Sequence, residues 1–337
     1  MINRQSSFAA LEHSHKKKVT RTERFLNEME GVVPFARIAA LIEPHYPQGA
    51  RGRPPMGLSR MLRMYLLQQW FGLADEALED ALYDNTPMRL FVGIDLSHDT
   101  VPDATTLLGF RHLLTAEGLT EAIFHEINAL LTEKGLLLKG GSMVDATLIA
   151  APSSTKNADH ARDPEMLQAK KGNQWYFGMK AHIGADTESG LVHTLVSTAA
   201  NAADICSLAD CLRPDDATVH LDAGYVGAQK REEIIERQAD GRLKADINWQ
   251  IAKRRKGIRE MAEGPMKDLL LAAERAKAQV RAFVEHPFNI VKNLFKHKKA
   301  RYRGLAKNTA QLFMLFGLAN LVLAKKALMA TRGMSPS

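Results

Sequence analysis

Gly141-Ser142-Met143-Val144-Asp145-Ala146-Thr147-Leu148-Ile149 is the stretch that decides how this chain is read. A short, nearly continuous apolar run behind a pair of glycines has the signature of a buried strand. Side chains alternate along a strand, so Met143, Asp145 and Thr147 share one face. A second run, Ala217-Thr218-Val219-His220-Leu221-Asp222, also closes on an aspartate, just before Ala223-Gly224-Tyr225. There Thr218, His220 and Asp222 share a face, and if the two strands are neighbours the aspartates converge near their ends. A third acid, Glu285, lies in Val280-Arg281-Ala282-Phe283-Val284-Glu285-His286-Pro287-Phe288, a basic helical stretch. Two strand-borne aspartates and one helix-borne glutamate suit a hard divalent cation such as Mg²⁺, which takes oxygen ligands and keeps positions open for phosphate and water.

The pattern around the first strand is α/β. Trp175, Phe177, Met179, Ala181 and Ile183 alternate with Tyr176, Gly178, Lys180 and His182, giving a second strand. A turn at Asp186–Gly190 returns the chain as a third over Leu191–Ser197. A helix over Ala202–Leu212, the strand ending at Asp222, a helix over Ala228–Gln238 and a fifth strand over Lys244–Ile251 follow. Long helices over Met266–Phe295 and Ala310–Met329 complete the chain. The expected fold is a mixed five-stranded sheet with helices on both faces, of the ribonuclease H type, over residues 136–330.

Before it, residues 25–135 read as a helical domain, behind a basic, flexible tail at 1–24. Leu58, Met61, Leu62, Tyr65, Leu66 and Trp70 recur at helical spacing; Gly72 stops that helix, and Asp75 is placed to cap the next. Pro102-Asp103 opens a further helix through Phe110. Short helices with tight joins are raw material for a helix-turn-helix unit, in which Arg111 and His112 can face DNA. An ordinary helical bundle fits the same pattern. Arg51-Gly52-Arg53-Pro54-Pro55 reads as a groove-contacting arm or as a plain connector.

The 337 residues carry a net charge of +7, which favours a polyanionic partner. Residues 242–303 hold 17 Lys and Arg against 6 Asp and Glu, whereas the rest of the chain is net acidic, so the basicity belongs to the segment containing Glu285. Such a concentration is better explained by phosphate contacts than by solubility. Two cysteines, Cys206 and Cys211, are too few for a disulfide framework or a zinc cage and read as core thiols of a reducing cytoplasm. No secretory leader is apparent. The apolar run Leu312–Ala324, interrupted by Gly317 and Asn320, reads as a buried helix, so no membrane is expected. The sequence carries no Walker motif, which argues against an NTP-driven enzyme.

On an ideal helix Arg281, Glu285 and Lys292 fall within roughly 40° of one another, so the glutamate would reach a metal while Arg281 and Lys292 hold phosphates. Pro287 should disturb that helix. Lys180 and His182 are further candidates for DNA phosphate, against a reading as ordinary strand residues. Two metal ions about 4 Å apart, held by three carboxylates, support in-line phosphoryl transfer without a covalent protein intermediate.

The chain resembles the DDE transposases of bacterial insertion-sequence family five, nearly from end to end. The resemblance rests on Ala151-Pro152-Ser153-Ser154-Thr155-Lys156-Asn157, Arg162-Asp163-Pro164-Glu165-Met166 and Lys171-Gly172-Asn173-Gln174-Trp175 with Phe177 to Gly184. Asp222-Ala223-Gly224-Tyr225 and Val284-Glu285-His286-Pro287-Phe288 complete it. It implies that Asp145, Asp222 and Glu285 form the catalytic, metal-binding triad and that Arg281 and Lys292 belong to a tyrosine-arginine-glutamate-lysine signature, whose tyrosine is replaced by Ala278. It further implies Mg²⁺, with Mn²⁺ as a substitute, terminal inverted repeats and target DNA as partners, and a homodimer in the DNA complex. A ribonuclease H-like nuclease that cuts without joining, and a non-catalytic DNA-binding descendant, are the alternatives.

Overall fold

The computed structural model describes residues 15–49, 54–158, 160–254, 257–258 and 260–331. The first fourteen residues of the expected tail, and Arg51-Gly52-Arg53 of the expected arm, lie outside that set. The chain divides into two compact units, one of residues 1–127 with 321–337, the other of residues 128–320.

The first unit is helical: α1 Arg21–Val32, α2 Phe35–Ile42, α3 Leu58–Phe71, α4 Asp75–Asp84, α5 Thr86–Val92, α6 Ala104–Ala116, and most of α7 Leu119–Glu133. α1 begins inside the expected tail because Thr20 and Glu23 form a capping box, each side chain meeting the other's backbone N–H. α3 ends at Gly72, whose φ of 63° is open to glycine at little cost. Asp103 caps α6 by accepting from the Thr106 N–H at 2.7 Å. Asp75, expected as a cap, is instead the first residue of α4, behind Ala74. The α3 stripe is buried from Met61 to Trp70, with Tyr65 and Trp70 in edge-on contact with Phe110 and Phe25.

The second unit is built on six strands: β1 Gly141–Ala150, β2 Leu167–Lys171, β3 Gln174–Asp186, β4 Val192–Ala199, β5 Thr218–Leu221 and β6 Asn248–Ile251. β1 is antiparallel to β3 on one side and parallel to β5 on the other; β5 continues parallel to β6, and β3 is antiparallel to β2 and β4. This is the mixed, helix-covered sheet expected of a ribonuclease H-like fold, with one strand more than the sequence indicated. The extra strand is β2, whose Leu-Gln-Ala-Lys-Lys is mostly exposed and carries no apolar alternation. The expected helix over Ala202–Leu212 is two 3₁₀ turns, Asp204–Ser207 and Ala209–Cys211. Close approach to the sheet accompanies that tight winding: a Cβ on Gly184 would stand 2.2 Å from the Cys211 carbonyl oxygen.

Helices α8 Glu232–Ala239, α9 Pro265–Arg281 and α10 Glu285–Asn289 follow, and α11 Leu305–Thr331 runs to the end of the described residues. α11 is long and apolar enough to cross a membrane, but its apolar window is 67% buried, as in a core helix. Val144, Val219, Leu221, Leu208, Tyr225 and Ile234 form much of the core around β1 and β5. Cys211 lies there, its thiol pushed up to about 12 by burial, while Cys206 is exposed, contrary to its reading as a core thiol.

The start of β1 is fixed by a buried polar network. Ser142 donates to Asp216 at 2.6 Å and lies 2.8 Å from His193 Nε2. With its one proton given to Asp216, the Ser142 oxygen accepts from His193, whose Nδ1 then accepts from the Thr194 hydroxyl. Arg213 donates to Asp216, to the Leu138 carbonyl at 2.7 Å and to the Gly141 carbonyl at 2.9 Å, and its guanidinium stands 3.6 Å from buried Asp186. Gly141 is itself required, since a Cβ there would meet the Thr218 carbonyl oxygen of β5 at 2.4 Å. Removing one partner of a buried ion pair strands the other charge. Asp216→Ala should therefore destabilise the protein by about 3–5 kcal/mol, read as a lower urea midpoint with an unchanged slope.

Candidate active site

Within the β1–β5 ladder, Gly141, Ser142 and Met143 pair with Thr218, Val219 and His220, each partner 77 positions later in the chain. Asp145 and Asp222 have that same separation. They are therefore level with each other, just beyond the last paired residues, where two parallel strands part. Asp222 accepts from the Gly224 N–H at 2.8 Å and caps the 3₁₀ turn Ala223–Tyr225. A Cβ on Gly224 would lie 2.9 Å from the same carboxylate oxygen, so the glycine admits that turn. Asp145 accepts from the Ala146 N–H at 2.7 Å.

The environment of Asp145 is set by burial, which pushes its carboxyl up to about 6. The Ala146 N–H opposes this, Asp222 adds to it, Arg281 opposes it, and Asp204 adds to it. Two carboxylates thus share one partly buried corner, with the Arg281 guanidinium as a nearby cation. That donor set is hard oxygen, and its mutual repulsion is relieved by a bound cation, so its chemistry fits a divalent metal ion.

Glu285 arrives differently. The ring of Pro287 would clash with the carbonyl four residues back, at Phe283. The helix accordingly breaks there into a 3₁₀ turn, Ala282–Val284, then resumes as the short α10 and widens into a π-turn over Ile290–Leu294. The expected continuous helix over Met266–Phe295 is therefore interrupted, and the ideal-helix alignment of Arg281, Glu285 and Lys292 does not apply. Arg281 and Lys292 nonetheless both reach the β1 region. Lys292 donates to the Thr147 hydroxyl at 2.6 Å and the Leu148 carbonyl at 2.8 Å, while Arg281 acts on Asp145 and His220. The turn Ala282–Val284 packs on β1. Glu285 follows it, exposed. Among the described residues no three acidic, His or Cys side chains stand close enough together to hold a metal ion, so Glu285 does not close a three-carboxylate group with the two aspartates.

Beside them opens a cleft of about 700 Å³, lined in part by Asp222, Lys253, Arg254, Lys267, Arg275 and Arg281. Ala278 lines it too, where the signature's tyrosine would stand. An acidic corner bordered by a basic cleft is an arrangement for a phosphodiester: cations hold the polyanion while the carboxylates face the reacting phosphate.

A family model for a transposase DDE domain matches residues 138–321, and one for a transposase domain (DUF772) matches residues 13–113. The chain belongs to the DDE transposases. These are phosphoryl-transfer enzymes acting on DNA with divalent metal ions, and a DDE domain occupies the strand-bearing half of this transposase.

Three expected DNA contacts need correction. Arg111 of the transposase makes a two-pronged ion pair with Asp75, at 2.6 and 2.8 Å, and also reaches Gln68; it locks α6 to α4 instead of facing DNA. His182 is fully buried in β3, with Nε2 against the Thr198 hydroxyl at 2.8 Å. It lies between β1 and β4, out of reach of any phosphate. Lys180 is engaged, donating to the Ala202 carbonyl and to Asp204 at 2.7 and 2.8 Å. Asp204 itself was not singled out in the sequence. It lay within the helix expected over Ala202–Leu212, with nothing in the sequence to single it out, and only folding brings it towards Asp145, Lys180 and His182.

Burial holds His182 and His297 down to about 4, and His193 well below its ordinary value. The unfolded chain, with histidines near 6.5, then binds more protons between those values. Their contribution to stability is complete above about pH 6.5 and is lost as pH falls towards 4. Asp145 acts in the opposite direction, being protonated more readily when folded. His297→Gln should therefore flatten the fall of the urea midpoint between pH 6.5 and 4 by about one proton's worth; an unchanged pH profile would contradict a neutral buried His297.

Proposed function

We propose that this transposase moves an insertion sequence related to family five, by cutting at the element's ends and joining the freed 3′-hydroxyls to target DNA. The observation that carries the reading is the level placement of Asp145, midway along β1, and Asp222, just past the end of β5, with Arg281 beside them. In this reading Asp145, Asp222 and Glu285 are the catalytic carboxylates and hold two Mg²⁺ ions, for which Mn²⁺ can substitute. Glu285, exposed at the start of α10, completes the set when metal and DNA bind. Metal ions held there would supply Lewis-acid activation of the attacking hydroxyl or water and charge stabilisation of the leaving oxygen.

The chain's own residues supply the rest. Arg281 offers a guanidinium for a phosphate at the acidic corner. Lys292 braces β1 through Thr147 and Leu148 and so holds the strand that carries Asp145. The basic cleft beside Asp222 takes the DNA backbone, which binding energy then fixes in line for attack. The helical N-terminal region recognises the terminal inverted repeats. A homodimer holds both ends, in the bacterial cytoplasm at the nucleoid.

The deciding experiment is strand transfer from pre-cleaved native ends in Mg²⁺. Joined products are expected; hydrolysis without joining would reduce the activity to that of a nuclease. Asp145→Asn and Asp222→Asn should each lower both cutting and joining by about a thousand-fold or more, with DNA affinity changed only a few-fold. Retention of joining by either variant would remove that aspartate from the chemistry. DNA affinity should also fall by about a thousand-fold or more between about 50 and 200 mM salt, if six or more phosphates are neutralised. A flat response in a binding titration would contradict the basic cleft as the DNA site.

A further inference from the structure

Helix α9 has two faces that differ in chemistry. On one, Lys267, Leu271, Glu274 and Ala278 line the basic cleft. Glu274 accepts from the Lys253 N–H at 2.9 Å and Lys277 donates to the Ile251 carbonyl at 3.1 Å, which ties the helix to the end of β6. At about 100° per residue, Met266, Leu269, Ala273, Ala276 and Val280 form a second row, centred about 150° round the helix from the first. Phe283, on the 3₁₀ turn that follows α9, extends it. Met266 is 65% exposed, Leu269 67% and Phe283 41%; Ala273 and Ala276 are exposed and Val280 is half-buried. None of the residues of α9 is buried.

Single exposed apolar side chains are ordinary, but a continuous row marks a surface that is covered in use. This row advances in steps of three, four, three, four and three residues, the heptad spacing of a helix-pairing seam. It also reads alike from either end: alanines flank its midpoint, Leu269 and Val280 come next, and Met266 and Phe283 close it. A row symmetric in this way complements its own copy turned end for end, as a two-fold interface requires. Met266 then faces Phe283 of the second copy, Leu269 faces Val280, and Ala273 faces Ala276. Small side chains at the centre let two helices approach closely while larger ones close both ends. The row carries no charge, although residues 242–303 hold 17 Lys and Arg against 6 Asp and Glu. It therefore offers nothing to a phosphate backbone and sets no like charges against each other when it meets itself.

We propose that two copies of this chain pair through α9, antiparallel, about a two-fold axis midway between Ala273 and Ala276. The row lies across α9 from the cleft, so pairing leaves both clefts open, one on each side of the helix pair. A single helix pair about 25 Å long buries less than the roughly 1,200 Å² of a standard interface, so pairing is weak until DNA brings two copies together. The inference rests on the transposase reading above, in which a homodimer holds both ends, and it assigns the surface that does so.

The test uses the full chain carrying Cys206→Ser, so that the exposed native thiol does not react. Met266→Cys and Phe283→Cys proteins are oxidised separately and as a mixture, at high protein concentration, with and without native-end DNA in a chelator. The mixture should give a disulfide-linked dimer, faster with DNA. Met266→Cys protein alone should not, because its two thiols stand about 25 Å apart in an antiparallel pair. In sedimentation, Leu269→Glu should weaken dimerisation by about ten-fold or more. Its thermal melting should match the wild type, because Leu269 is exposed. A mixture that links in neither condition, a Met266→Cys protein that links to itself, or a Leu269→Glu protein that dimerises like the wild type would overturn the assignment. Strand transfer is scored separately: linked dimers that never join ends would defeat the proposed reaction and leave the pairing surface standing. Joining by a wild type whose mixture never links would do the reverse.

Discussion

The largely buried guanidinium of Arg213 is the constraint on which the arrangement of the acidic corner depends. It satisfies Asp216 ahead of β5, two carbonyls at the start of β1, and lies near Asp186 at the end of β3. A buried charge is tolerated only where opposite charge and hydrogen bonds surround it. Here those partners belong to three different strands or their approaches. Arg213 therefore fixes how far β1 and β5 slide past each other. With Gly141 pressed against the Thr218 carbonyl, the two strands have one register, and that register makes Asp145 and Asp222 level. Shifting it by one residue would turn one aspartate to the opposite face.

The corner built on that register is electrostatically incomplete in the protein alone. Burial and the neighbouring acids Asp222 and Asp204 hold the Asp145 carboxyl near 6, and Arg281 offsets only part of the effect. A site in which carboxylates are forced together is one that a divalent cation completes, because the cation removes the repulsion while its ligands stay where the fold puts them. The interrupted helix carries the third acid. Pro287 forbids a straight run, and the resulting 3₁₀, α and π turns leave Glu285 on a short, exposed segment while Val284 and Phe288 anchor it in the core.

Much of this was legible in the sequence, for particular reasons. β1 and β5 declared themselves because their apolar residues meet the core, and the alternation that buries Val144 and Val219 also gives each aspartate its face. α3 declared itself through its apolar stripe and its glycine stop. The strand β2 did not, since a mostly exposed hairpin edge needs no apolar pattern. Arg111, His182 and Lys180 were read as available to DNA from residue type and local helix or strand pattern. Whether a cation faces solvent or an aspartate depends on residues distant in sequence, such as Asp75, 36 positions from Arg111, and Asp204, 24 positions from Lys180. Asp204 escaped notice for the same reason: its place near Asp145 is made by 3₁₀ turns that hug the sheet.

The sequence by itself determined the alternation of strands and helices, the strand-borne aspartates and the concentration of positive charge around Glu285, because these follow from local periodicity and composition. Tertiary structure alone decided which charges are spent internally. It set the common level of Asp145 and Asp222, the seating of Lys292 on β1, the burial of His182 and the closure of Arg111 on Asp75. Those outcomes depend on strand register and on long-range partners, and neither is encoded in any single stretch of chain.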